Sequence, residues 1–348
     1  MINILSKIIS LLIFTSPLLQ AQLVPIDEDE LSDMTGQAFI TIDSSSAGGL
    51  DFTKVTLGLD VKTLLNSDLL EFGRYDRVGE LSGGSDIRIS DFALGGIDSN
   101  GNIVPFEIKD PFVELAFEDN AGRQDLIGVR LGFGGAKGAL SGTIESLTGN
   151  VNVDIKDTAS GLNASGNLLG VLASVLLART PIETKAQLVD SNGNIDRVRA
   201  ELIGIANGDT FDILAGTGPF DFLERAALGT INTFFPLTRC AGRSWGLCSH
   251  LELIAQNCTA LGINVCFDLK NYNTLDVGKK QNDGTFDFAE GLFLGFQTKP
   301  ITWKDGTTTT PTETGAFLNV PNGGLEVTLH QAFRGTDRVR TKYIDPYY

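Results

Sequence analysis

Four cysteines, two histidines and one glycine-flanked serine are the residues of this chain whose types and spacing could do chemistry. Cys240, Cys248, Cys258 and Cys266 follow one another at separations of 8, 10 and 8. Four cysteines allow three pairings. Short loops favour Cys240 with Cys248 and Cys258 with Cys266, while the nested pairing stays open. A zinc ribbon wants two-residue gaps inside each cysteine pair, and the gaps here are seven. The expected role is therefore a folding one, as disulfides. Ser244 lies between Gly242 and Gly246 at the spacing of a hydrolase nucleophile elbow, which works only on a sharp strand-to-helix turn. Pro236 and Cys240 stand where a buried strand would be needed, so a short disulfide loop is expected instead. His330 follows Ser244 in triad order with nothing else to support it. A Cys248–His250 nucleophile pair would need a thiolate, which a disulfide removes. Gly132-Phe133-Gly134-Gly135 lacks the third spaced glycine and the following helix of a dinucleotide loop. Those glycines are expected at tight turns or bulges. No catalytic residue, cofactor or metal centre is assigned.

The elements that must carry these residues alternate with period two. Val55, Leu57, Leu59 and Val61 do so, as do Val113, Leu115 and Phe117, then Ile127, Val129, Leu131 and Phe133. Leu140 to Ile144, Val151 to Ile155, Val198 to Leu202, Phe286 to Phe296 and Leu325 to Leu329 repeat the pattern. Such spacing places apolar side chains on one face of antiparallel strands and polar ones in water. The pentapeptide Asp-Ser-Asn-Gly-Asn occurs at 98–102 and again at 190–194. Its Asn-Gly predicts two-residue type I′ hairpins. Asp98, Asn100 and Asn102 have the opening spacing of a calcium loop, but Ile103 and Lys109 occupy its glycine and glutamate positions. In the second copy Ile195 fails in the same way, though Glu201 fits, and calcium there stays open.

Two stretches depart from the strand pattern. Asn167 to Arg179 is nearly all apolar and predicts a short buried helix, or a segment that touches lipid. Asp221 to Phe235 has helical spacing and leads into the cysteines. The expected fold is mainly β, with extended twisted antiparallel sheets, sandwich- or groove-like, two apolar helices and a small disulfide-tied insertion. Its expected parts are a signal peptide (1–21), an N-terminal motif segment (22–50), a β region (51–215), a helical four-cysteine subdomain (216–275) and a C-terminal β region with a polar tail (276–348).

The N-terminus sets the compartment. Lys7, an apolar core from Ile8 to Leu19 and Ala21 read as a cleaved secretory signal. No cysteine follows it to hold a lipid anchor. Across 348 residues, 43 acidic against 27 basic side chains give a formal charge of −16, which repels nucleic-acid phosphates. Tyr348 fits the end of an outer-membrane barrel strand, but Pro346 and Lys342 share its face. Tyr347 and Gly335 fit a fimbrial terminus, but Asp337 and Asp345 break its alternation.

The stretch Asp29-Glu30-Leu31-Ser32-Asp33-Met34-Thr35-Gly36-Gln37 after a signal resembles the mature N-terminus of a group of secreted, largely uncharacterised gammaproteobacterial proteins, some of them products of pilus or surface-filament genes. Val129-Arg130-Leu131-Gly132-Phe133 and Ser146-Leu147-Thr148-Gly149-Asn150 share the resemblance. It implies a structural role in the cell envelope and transfers no catalytic residue. The expectation is an exported, non-enzymatic protein of the periplasm, outer membrane or surface, in contact with other envelope proteins. A carrier of lipid or another apolar ligand is the alternative, with Leu168, Leu169, Leu172, Val175 and Leu176 as the contacts.

Overall fold

A computed structural model describes residues 40–77, 83–216, 221–281 and 283–342. The signal segment, the Asp29–Gln37 motif, Pro219, Asn282 and the final tyrosines lie outside the described residues. Strands make up 57% of the structure and helices 13%, so the fold is mainly β, as the alternation implies.

The first sheet has eleven strands. It opens with β1 (Ile40–Ala47), β2 (Leu50–Leu57), β3 (Asp60–Thr63), β4 (Leu65–Arg74) and β5 (Ser85–Leu94). β6 (Phe106–Asn120) and β7 (Arg123–Leu147) follow. β7 is a single strand of 25 residues. At roughly 3.3 Å per residue it would reach about 80 Å when extended, so it must change partners along its length. Its first half pairs with β6 and its second half with β5.

The chain leaves this sheet through β8 (Gly149–Val151) and enters the second at β9 (Val153–Thr158). The second sheet adds β10 (Pro181–Val189), β11 (Leu202–Gly204), β12 (Thr210–Leu214), β13 (Thr238–Cys240), β14 (His250–Ile254) and β15 (Cys266–Asp268). β16 (Thr274–Val277) and β17 (Phe293–Gln297) return to β7. The hairpin β18 (Ile301–Asp305) with β19 (Thr308–Thr312) lies outside both sheets. β20 (Gly315–Val320) closes the first sheet and β21 (Glu326–Val327) joins the second. β8 runs parallel to β20, and β9 to β21. These parallel pairs stand among mainly antiparallel ladders, because two passes of chain cross from one sheet to the other side by side.

The main core joins residues of both sheets, including Ile144, Leu147, Ile155, Leu188, Phe211 and Leu251. A second core, with Phe52, Phe293, Trp303 and Phe317, involves the β18–β19 hairpin. Ile40–Tyr348 is one compact unit. α1 (Leu168–Leu176) and α2 (Phe222–Phe234) match the two expected helices. But β14 pairs with β12, and β15 with β11, so the four-cysteine region is woven into the sheet. A third helix, α3 (Leu329–Arg334), replaces the end of the Leu325–Leu329 alternation. Thr328 and Gln331 close a reciprocal capping box there, a helix start that outweighs a two-residue strand.

Local geometry corrects two further expectations. The 98–102 and 190–194 turns are three-residue loops. Gly101 at φ +84° and Gly193 at φ +80° take the left-handed position, while Asn100 and Asn192 keep negative φ. Type I′ needs both central residues positive, so the asparagine prediction misses. Asp98 and Asp190 instead accept hydrogen bonds from the backbone two and four residues ahead. Gly132 sits inside β7, not in a turn. A Cβ there would lie 2.2 Å from the Phe112 ring of β6, so the glycine makes room for an aromatic packed across the ladder.

Candidate functional site

Both short-loop disulfides form. Cys240 pairs with Cys248 at a Cα separation of 5.8 Å, and Cys258 with Cys266 at 5.1 Å. In the chain-entropy model each stabilises by about 2–3 kcal/mol. Ser244 lies in a two-residue ladder, Arg243–Ser244 against Leu247–Cys248, whose tip is Trp245 at φ +53°. That is a hairpin and not a strand-to-helix elbow. His250 lies 3.8 Å from Asp212, and His330 is an exposed residue of α3. Among the described residues no group of three or more His, Cys, Asp or Glu is placed to hold a metal ion. In the second Asp-Ser-Asn-Gly-Asn copy the Asp190 carboxylate accepts from the Asn194 side chain, which pulls its pKa below the ordinary value.

Ionic chemistry is concentrated at two buried arginine-carboxylate sites that sequence reading missed. Arg130 is fully buried in β7. Its Nε donates to Glu114 of β6, and its two terminal nitrogens donate to Asp305 at 2.7 and 2.8 Å. The rings of Phe112, Phe293 and Trp303 surround the guanidinium at 5.0–5.2 Å. Burial pushes the Glu114 carboxyl up, and Arg130 opposes that shift. Asp86, also fully buried, accepts from Arg77, Arg199 and the Ala316 amide. Both sites bolt distant segments together.

A third cluster is nearer water. Arg88 donates to Glu71 at 2.6 Å and to Glu145 at 2.7 Å. Ser85 also donates to Glu71, and Ser90 to Glu145. Both carboxyls are held below their ordinary range, Glu71 mainly by Ser85 and Glu145 mainly by Ser90. An open polar cleft of about 610 Å³ runs past Arg88, Glu145, Arg199 and Lys270.

Apolar contact surface is the other resource. The expected ligand residues of α1 that can be described lie at the surface. Leu168, Leu172, Val175 and Leu176 are 74%, 49%, 74% and 68% exposed; the side chain of Leu169 lies outside the described residues. The apolar cavity between the sheets, bounded by Ile144, Ile155 and Tyr272, measures about 20 Å³, far below the roughly 300 Å³ of a ligand pocket. On the first sheet, Ile42, Val55, Val113 and Leu131 stand side by side on β1, β2, β6 and β7, each exposed or half-buried. β1 is exposed along almost its whole length and, among the described residues, pairs with β2 alone. Comparison with family models, curated proteins and solved structures gives no match.

Proposed function

We propose that this chain is an exported, non-enzymatic component of the cell envelope or surface, which accepts an extended segment of another envelope protein along β1, in a pilus, filament or adhesion assembly. One observation carries the reading: among the described residues, β1 is a long and regular edge that nothing covers. Its eight residues pair with β2 without a bulge, and it has no Pro or Lys, with Asp43 as its single charge. Edge strands that must stay single are ordinarily blunted by such devices. An unblunted edge offers backbone donors and acceptors to an added strand, and the neighbouring Ile42–Leu131 row offers pockets for side chains. Two disulfides suit an oxidising compartment, which supports export. The resemblance of Asp29–Gln37 to secreted, filament-associated proteins supports the same address.

The test compares native and edge-charged protein in mild envelope extracts. The native chain is expected to elute in an assembly larger than its own 37.2 kDa. Ile40→Lys with Ile42→Lys, at positions 56% and 66% exposed, is expected to release a folded monomer. A native chain that is already monomeric in the extract contradicts the proposal.

A further inference from the structure

One end of the second sheet wears its apolar residues on the outside. Thr158 pairs with Pro181, Ile182 with Ile213, Leu214 with His250 and Leu251 with Cys240. These registers bring three connections to the same end. The β9–β10 connection holds α1, and α2 follows β12. The β13–β14 hairpin continues past the sheet, through Gly242 against Ser249 and Arg243 against Cys248, to Trp245.

α1 is inverted relative to a helix designed for water. Its inward side holds Gly170 and Ser174, and the buried Leu177 directly follows it. A Cβ on Gly170 would lie 2.2 Å from the Ser165 hydroxyl, so small residues are required there. Its outward side presents Leu168, Leu172, Val175 and Leu176, the i, i+4, i+7, i+8 stripe that ordinarily faces a core. Phe222 and Leu223 open α2 at 56% and 77% exposure, and Trp245 is 99% exposed. Exposed apolar surface on this scale marks a contact.

Charge identifies what is contacted. The chain carries −16, yet segments 166–180 and 221–249 hold Arg179, Arg225, Arg239 and Arg243 against only Asp221 and Glu224. Arg179 and Arg243 are exposed, while Arg239 lies 3.6 Å from Glu252. Aliphatic side chains, a projecting indole and flanking arginines are the composition that settles at the boundary between acyl chains and anionic headgroups. α1, at nine residues, is about 14 Å long and cannot cross a bilayer. We propose that this end of the second sheet docks on an anionic lipid surface, with α1 lying in the interface and Trp245 inserted beside Arg243. The proposal is independent of strand addition at β1, which belongs to the other sheet.

The two tryptophans make the test clean, because Trp303 is fully buried and Trp245 is open to water. Purified exported protein is mixed with vesicles of phosphatidylcholine alone, or of phosphatidylcholine with phosphatidylglycerol. Flotation with the anionic vesicles, weakened by salt, is expected, together with a blue shift of tryptophan emission. Trp245→Phe should abolish the shift. Leu172→Ser with Val175→Ser should weaken flotation at least about tenfold, since each lost methylene is worth about 0.8 kcal/mol, with the circular dichroism unchanged. Failure to float with either vesicle overturns the proposal. So does flotation indifferent to these substitutions, or self-association in solution that the same substitutions abolish, which would make the surface a protein interface.

Discussion

Arg130 shows how a single side chain can hold a β protein together and stay invisible to alternation. Its neighbours Val129 and Leu131 read as the core-facing members of the strand, yet Arg130 is fully buried and Leu131 is 41% exposed. The ladder between β6 and β7 shifts at Ala116/Phe117, an irregularity that local period-two reading cannot see. The aromatic and acidic partners at 303 and 305 then arrive from far along the chain. Replacing Arg130 with Met would leave Glu114 and Asp305 facing each other with Lys54, 3.7 Å from Asp305, as the remaining cation beside them. Removing one partner of a buried ion pair costs about 3–5 kcal/mol, and denaturant unfolding should show a loss of that size. Glu71 and Glu145 make a prediction of opposite exposure and clear sign. Both titrate below their ordinary 4.5 in the folded state. The native protein therefore binds fewer protons than the unfolded chain. Their stabilisation is present above about pH 4.5 and is lost as pH falls through the folded values. Thermal melts should show this acid loss in the native chain and a flatter profile in Ser85→Ala with Ser90→Ala, which removes the main donor to each carboxyl.

At the scale of elements, most of what the sequence announces is local, and what it hides is long-range. The short disulfides follow from loop length, and α1 and α2 from apolar content and spacing. The exposure of α1 was not legible, because an apolar run looks the same whether it faces a core or a contact. The three-residue turns differ from the Asn-Gly expectation because Asp98 and Asp190 fold the backbone back on their own carboxylates. Gly132 reads as a turn residue but answers a cross-strand ring. The lack of proline and lysine in β1 is readable from its eight residues, whereas its lack of a bulge is a property of the ladder with β2. That it forms an edge is a property of the sheet order alone.

For the whole molecule, topology decides what chemistry is available. Two passes from the first sheet to the second tie both into one unit, whose main core has almost no space inside. Contact surface is therefore external: the β1 edge on one sheet and the apolar end of the other. Hydrogen exchange at the β1 amides, Ile40 to Ala47, tests the strand-addition account most directly. The amides that face away from β2 should exchange rapidly in the isolated chain and slow markedly in the same chain held within the proposed assembly. Equal exchange in the two states, or protection already complete in the isolated chain, would contradict it.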